Sequence, residues 1–393
     1  MSYAFKGSRR PGPGHTQRRS APRSNGRRGQ YIDPAKFVRV AKGAEVEEYL
    51  ATHQFQDFDI LPILKTNLTA KGYVTPSPIQ DQTIPQGLLG KDIIGVANTG
   101  TGKTAAFAVP ILNKLILDKS AKALIIAPTR ELAEQIQDEC RTIGKGSGLF
   151  GTLLIGGSSM GAQLRDLRDN PRIVIGTPGR IKDHMERNTL RLNGFNTIVL
   201  DEVDRMLDMG FINDVRYILS QLKTERQSFF FSATLDGKVS SLIQTFSNDP
   251  IVVSVKTGDT ADSVHQDVIK YVSSNDKMDK LHDVLLKADK VIVFDETQRK
   301  VERLSQELIT RGFSADAIHG GKSQGQRQRA LKRFKTNDVN ILVATDVAAR
   351  GIDVVDITHV VNFSLPQSYE DYVHRIGRTG RAGKIGHALT FVQ

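Results

Sequence analysis

From about Glu45 onward one pattern repeats along the chain: a short apolar, β-branched run, a polar loop, then a longer stretch with helical spacing of its apolar positions. Runs that are apolar at successive positions suit strands buried on both faces. Their alternation with helices predicts an α/β fold with mostly parallel sheets. Strands are predicted near 93–97, 123–127, 153–155, 173–175, 197–200 and 228–231. The polar stretch KTGDTADS (256–263) interrupts the series and reads as a linker. A second series follows, near 268–272, 291–294, 315–318, 341–344, 359–362 and 388–391. The halves share an architecture without a strict sequence repeat.

A chain of 393 residues exceeds what one hydrophobic core usually supports, in keeping with two domains, expected over 45–255 and 264–393. The net charge of +11 changes the picture at the N-terminus. Eight Lys and Arg residues precede the first acidic residue, Asp33, leaving +3 for the remainder. Residues 1–44 are therefore expected to be a disordered, Arg/Gly-rich basic tail that attracts phosphate backbones without reading sequence. The single cysteine, Cys140, excludes an intramolecular disulfide and leaves no Cys/His cluster for zinc. No apolar run approaches the roughly 18 residues needed to cross a bilayer, and the start lacks the apolar stretch of a secretory signal. A cytoplasmic protein without membrane association is expected.

Candidate chemistry begins where the strand 93–97 runs into ANTGTGKT (97–104) and a helix. This is a phosphate-binding loop with Ala97 in place of its first glycine. Gly100 and Gly102 let backbone N–H groups turn inward on an anion at the positive end of a helix. Lys103 supplies a cation for the β- and γ-phosphates, Thr104 a hydroxyl for Mg²⁺, and Thr99 and Thr101 line the loop. A second buried strand ends directly in Asp201, Glu202, Val203 and Asp204. Carboxylates at the carboxyl end of a parallel strand emerge where ligands bind. Asp201 suits Mg²⁺, and Glu202 suits orientation and deprotonation of an attacking water. A nucleoside triphosphate and Mg²⁺ are the expected ligands of this site.

Further segments follow in order: GYVTPSPIQ (72–80), PTREL (128–132), Gly156-Gly157, TPGR (177–180), DEVD (201–204), SAT (232–234), FDET (294–297), QGQR (324–327), ATDVAARGID (344–353) and HRIGRTGR (374–381). With these the chain, from about Phe55 to its end, resembles the DEAD-box family of superfamily 2 RNA helicases, of the bacterial type. Val203 stands in the third position of the acidic motif, which keeps all three carboxylates and predicts modest repacking behind the loop.

The resemblance implies two tandem RecA-like domains, each a mostly parallel sheet flanked by helices. It implies ATP as the nucleotide: Gln80 reads adenine through its amide, Tyr73 stacks on the base with Phe55 as the upstream aromatic, and Asp353 meets the ribose. Arg378 and Arg381 become arginine fingers that cross from the second domain, whereas Arg375 is left open between a finger and an RNA-phosphate contact. Sequence-independent contacts to the RNA backbone are implied for Pro128, Thr129, Arg130, Gly157, Thr177, Gly179 and Arg180 in the first domain. Gln324, Arg327 and Thr345 are implied from the second. Ser232 and Thr234 would couple the two sites by hydrogen bonding toward Asp204. The implied activity is RNA-stimulated ATP hydrolysis coupled to local unwinding of short duplexes, by a monomer that meets ribonucleoprotein or RNA-decay partners. An ATP-gated RNA clamp without strand separation and a DNA-directed helicase of the same superfamily stand as alternatives.

Overall fold

The computed structural model describes residue 1 and residues 33–41, 49–98, 100–255, 263–349, 354, 356–380 and 384–393. The first lobe is a seven-stranded, wholly parallel sheet. Its strands are β1 Ile93–Val96, β2 Ala123–Ile126, β3 Gly151–Leu154, β4 Ile173–Gly176, β5 Thr197–Leu200, β6 Gln227–Ser232 and β7 Ile251–Ser254, in the order β3-β4-β2-β5-β6-β1-β7. Six of the seven match the predicted strands. The seventh, β7, lies at the sheet edge beside β1 with only alternate residues covered, and its run Ile251-Val252-Val253 was the overlooked signal.

Successive strand residues feed opposite faces, as a pleated sheet requires. Ile93, Ile125, Ile175, Val199, Phe229 and Phe231 enter one hydrophobic core, while Ile94, Leu124, Val174, Ile198, Leu200 and Phe230 enter the other. Val203 is fully buried in the second of these, so the departure in the acidic motif is absorbed by packing.

The second lobe holds six parallel strands, β8 Val264–Lys270, β9 Val291–Phe294, β10 Ala315–Ile318, β11 Ile341–Ala344, β12 His359–Asn362 and β13 Gly386–Val392, ordered β10-β11-β9-β12-β13-β8. All six are predicted elements, although β8 starts four residues early because its buried positions alternate with polar ones.

The tail expectation needs a correction at its inner end. Residues 2–32 lie outside the described residues, but 33–41 are structured: Pro34–Phe37 form a 3-10 turn, and Arg39 pairs with Gln266 of β8. A fully buried Phe37 is what holds this segment. The expected linker also lies outside the described residues, apart from Ser263. Among the described residues no helix is long and apolar enough to cross a membrane.

Candidate functional site

Strands β5, β6 and β1 are neighbours, so the acidic loop, the SAT segment and the phosphate loop leave the sheet side by side at its carboxyl edge. Gly100 and Gly102 take positive φ values of 82° and 91°. Gly102 caps the helix Lys103–Leu117, and a Cβ there would collide with the Gln80 amide. Lys103 is 6% exposed; its Nζ donates to the Ala97 carbonyl at 3.1 Å and lies 4.0 Å from Asp201 Oδ1. Thr104 stands one residue into the same helix, and Thr101 Oγ1 donates to Asn98 O at 2.8 Å. Thr99 lies outside the described residues.

Gln80 serves the phosphate loop as well as its own helix. Its Oε1 accepts from Ser77 N at 2.9 Å, its Nε2 donates to Gly102 O at 3.0 Å, and Ser77 Oγ donates to Thr101 O at 2.7 Å. A primary amide carries two donors and two lone pairs, so one of each remains for a base edge. The neighbouring Asp81, which sequence reasoning missed, is 3% exposed and gathers Tyr49 Oη, Thr52 N and His53 Nδ1 at 2.7, 2.7 and 2.6 Å. Tyr73 is half-buried, with its hydroxyl donating to Glu139 at 2.9 Å. Phe55 has no exposed surface and packs against Phe58 and Tyr73 in the first-lobe core, which supports Tyr73 rather than presenting a second stacking face.

The acidic loop is strained and charged. Glu202 occupies the left-handed region at φ 53°, rare for a residue with a Cβ and costing about 1 kcal/mol. Its Oε2 accepts from Arg205 at 2.6 Å. Burial works to raise its pKa, yet Arg205, Lys103 and Arg378 together hold it below the usual carboxylate range. Burial pushes Asp201 the other way, upward, with Glu202 and Asp204 adding to the rise against the pull of Lys103. Asp201, 2% exposed and 4.0 Å from the Lys103 ammonium, offers carboxylate oxygens of the kind a small hard divalent cation takes, and Thr104 in the neighbouring helix carries a hydroxyl of the same hard character. Asp204 accepts from Ala233 N and Thr234 N at 2.9 and 3.1 Å, and its own N–H donates to Ser232 Oγ at 3.3 Å. The expected hydrogen bonding toward Asp204 is thus present, although Thr234 contributes its backbone N–H.

The second lobe reaches this site through Arg378, which lies just beyond the helix Tyr369–Ile376 and bears electrostatically on Glu202. Arg381 and Asp353 lie outside the described residues. Arg375 is settled as internal: its Nε and Nη2 donate to Asp346 at 2.5 and 2.8 Å and its Nη1 to Asn362 and Ser364 O, over the Phe294 ring. It braces the second lobe and offers nothing to RNA phosphates.

A separate cleft of about 440 Å³ opens between the lobes. Pro128, Thr129, Arg130, Thr177, Gly179, Arg180 and Arg327 line it, joined by Glu131, Gly156 and Val347 from the same motifs and by Met209, Phe211 and Gly320, which lie outside them. Thr129 caps the helix Arg130–Ile143 and so sets Arg130 and Glu131 at the rim. Gly157, at φ 79°, leaves room for the Arg130 guanidinium, which a Cβ would strike. Burial, then the nearby Arg327 and Arg180, lower the Arg130 pKa, the signature of converging cations. On the facing side, a Ser323–Gln326 capping box starts the helix Gln324–Lys335. Gln324 and Gln328 donate to Glu134 at 3.0 and 2.7 Å, and Arg327 Nη2 sits 2.7 Å from Glu131 Oε1. Gln324 thus spans the lobes beside the cleft. Thr345 is 8% exposed, with its carbonyl accepting from Ala348 and Ala349, and does not line the cleft.

Residues 77–242 match the family model described as DEAD/DEAH box helicase, and 276–383 match the helicase conserved C-terminal domain. A Bacillus subtilis protein named DEAD-box ATP-dependent RNA helicase CshA is 45% identical over 344 residues, spanning 87% of this chain and 70% of its own. A Listeria monocytogenes protein named ATP-dependent RNA helicase CshA shares 45% identity over 344 residues, 86% of this chain and 66% of its own. Among solved structures, S. cerevisiae Dbp5 bound to RNA and ADP BeF3 superposes with a TM-score of 0.75 at 29% identity, over 86% of this chain and 89% of that one. Mss116p bound to ssRNA and AMP-PNP gives 0.78 at 30% identity, over 90% and 76%.

Proposed function

The chain belongs to the DEAD-box family of ATP-dependent RNA helicases, and from that membership we propose how its own residues divide the work. Lys103 and the inward N–H groups of the phosphate loop grip the polyphosphate of ATP, and Gln80 turns its remaining donor and acceptor toward adenine, with Tyr73 as the stacking ring. Thr104 and Asp201 would hold Mg²⁺, which supplies charge neutralisation on the β- and γ-phosphates when bound. Glu202, kept ionised by Arg205, Lys103 and Arg378, orients a water and takes its proton. Arg378 meets the charge that develops on the transferred phosphoryl group. Asp204 relays the state of this site to the SAT segment through the N–H groups of Ala233 and Thr234.

RNA lies in the cleft on Arg130, Arg180, the Thr177 side chain and the Gly179 backbone, contacts that carry no base information. Because both lobes line that cleft, polymer bound there favours the closed arrangement in which Arg378 bears on Glu202. Closure bends one strand and pries open a short duplex; hydrolysis releases it. The observation that carries this reading is the buried Glu202, held by Arg205 at the strand end where Lys103 and Asp201 meet, beside a cleft that both lobes line.

Replacing Glu202 with Gln tests it. RNA-stimulated turnover should fall by about 10² to 10⁴, while fluorescent ATP-analogue and single-stranded RNA binding persist and a short RNA duplex is no longer displaced catalytically. Undiminished ATPase in that variant would remove Glu202 from the mechanism.

A further inference from the structure

We propose that residues 33–41 form a brace, anchored by Phe37, that positions the second-lobe helix from which Arg378 projects. Asp33 accepts from Ala35 N at 2.9 Å and starts the turn Pro34–Phe37. A four-residue turn is not stable alone, so its docking is what orders it. Phe37 is wholly buried among Val264, Tyr372, Ile376 and Ala388, its ring 4.6 Å from that of Tyr372. The Lys36 ammonium sits 5.9 Å over Tyr369. Arg39 then pairs antiparallel with Gln266, exchanging bonds of 2.9 and 2.8 Å, and so covers the open edge of β8. Ala41 N donates to His265 Nδ1 at 3.2 Å. Gln266 closes the circuit by accepting from Tyr372 Oη at 2.9 Å.

Helical spacing gives this docking its consequence. Tyr369, Tyr372 and Ile376 fall on one face of the helix Tyr369–Ile376, three and four residues apart. Glu370, His374 and Arg378 follow the opposite line: Arg378 Nε donates to His374 O at 3.3 Å, and Glu370 and His374 come within 4.8 Å of Asp208 in the first lobe. The brace therefore presses on the back of the element whose front reaches the nucleotide site. Farther along the chain Tyr49, together with Thr52 and His53, is bound to Asp81, beside Gln80. Between Ala41 and Tyr49 stand only seven residues, a reach of roughly 26–29 Å. One short stretch of chain thus joins the helix bearing Gln80 to the helix behind Arg378.

The inference rests on the role given above to Arg378, and the test separates the two. In the full chain, Phe37→Ala should lower RNA-stimulated kcat about tenfold while KM for ATP and nucleotide-free RNA affinity stay within about twofold. Phe37→Leu should restore kcat to within about twofold. Arg39→Pro, at an exposed position, removes the donor to Gln266 and should lower kcat several-fold without moving the unfolding midpoint. An unchanged kcat in both Phe37→Ala and Arg39→Pro would overturn the brace. So would a loss that Phe37→Leu fails to restore, or one that merely tracks the folded fraction. If Arg378→Ala turned over like the parent chain, the assignment of Arg378 would fail instead.

Discussion

In the first lobe the polar groups around the phosphate loop already hold one another. Lys103 rests on the Ala97 carbonyl, Glu202 on Arg205, Gln80 on Ser77 and Gly102, and Asp204 on two backbone N–H groups. In the second lobe the corresponding edge of an equally parallel sheet is dominated by groups that reach outward: Gln324 and Gln328 to Glu134, Arg327 to Glu131, and Arg378 toward Glu202. Around the phosphate loop the first lobe's charges are balanced internally, while along the rim of the cleft the two lobes balance each other. The same fold can therefore play two parts, because what differs is the loops at the strand ends and not the layers beneath them.

The comparison predicts that the second lobe's contribution is chemical before it is structural. Arg378→Ala should cost about 10³ or more in RNA-stimulated kcat, with ATP binding to the first lobe intact by fluorescent-nucleotide titration. A loss shared equally between kcat and ATP affinity would mean that the first lobe is not self-sufficient. Next in size is Arg327→Ala, which leaves Glu131 buried at 2% exposure without its cation. Truncating one member of such a pair costs about 2 kcal/mol or more, roughly thirtyfold in the stability of the closed form. RNA affinity should drop by that factor in the presence of a non-hydrolysable ATP analogue, and far less without nucleotide. An equal drop in both conditions would identify Arg327 as an RNA contact only.

Much of this was legible in the sequence, for physical reasons that also explain the gaps. Strands buried on both faces announce themselves as unbroken apolar runs, so twelve of the thirteen strands among the described residues were predicted. The one missed, β7, is an edge strand whose exposed positions dilute the signal. That Lys103 and Asp201 would meet was legible because both follow buried strands of one parallel sheet. Asp81, Glu131 and Arg205 were not, since each acts on a neighbour already in view rather than on a ligand. Thr345 was assigned to RNA by motif alone, and it is not among the residues that line the cleft. The brace was absorbed into the basic tail by its composition. Asp33-Pro34 is nonetheless a helix-start signal, and Phe37 is the apolar residue such a turn delivers.

The smallest predicted effect concerns stability. His265, His387 and His359 stack across β8, β13 and β12, with ring centroids 5.4 and 4.8 Å apart. Burial, and then its neighbour His387, push the pKa of His359 down to about 4, against the weaker pull of Asp289. The His387 pKa is lowered as well, first by burial and then by His265. Below an ordinary histidine pKa of 6.5 the unfolded chain takes up a proton that the folded lobe resists, so stability is full above that pH and is lost as pH falls toward 4. His184 in the first lobe is also depressed by burial, but it stands with Thr189 and Gln163 as partners rather than with other histidines. Acidification from pH 7 to 5 should therefore weaken the second lobe more, and His359→Gln should recover about a degree or two of Tm at pH 5 and little at pH 7. Equal Tm losses in parent and variant over that range would relieve the histidine stack of any part in acid sensitivity, and would leave the two lobes differing only in what they present to the cleft.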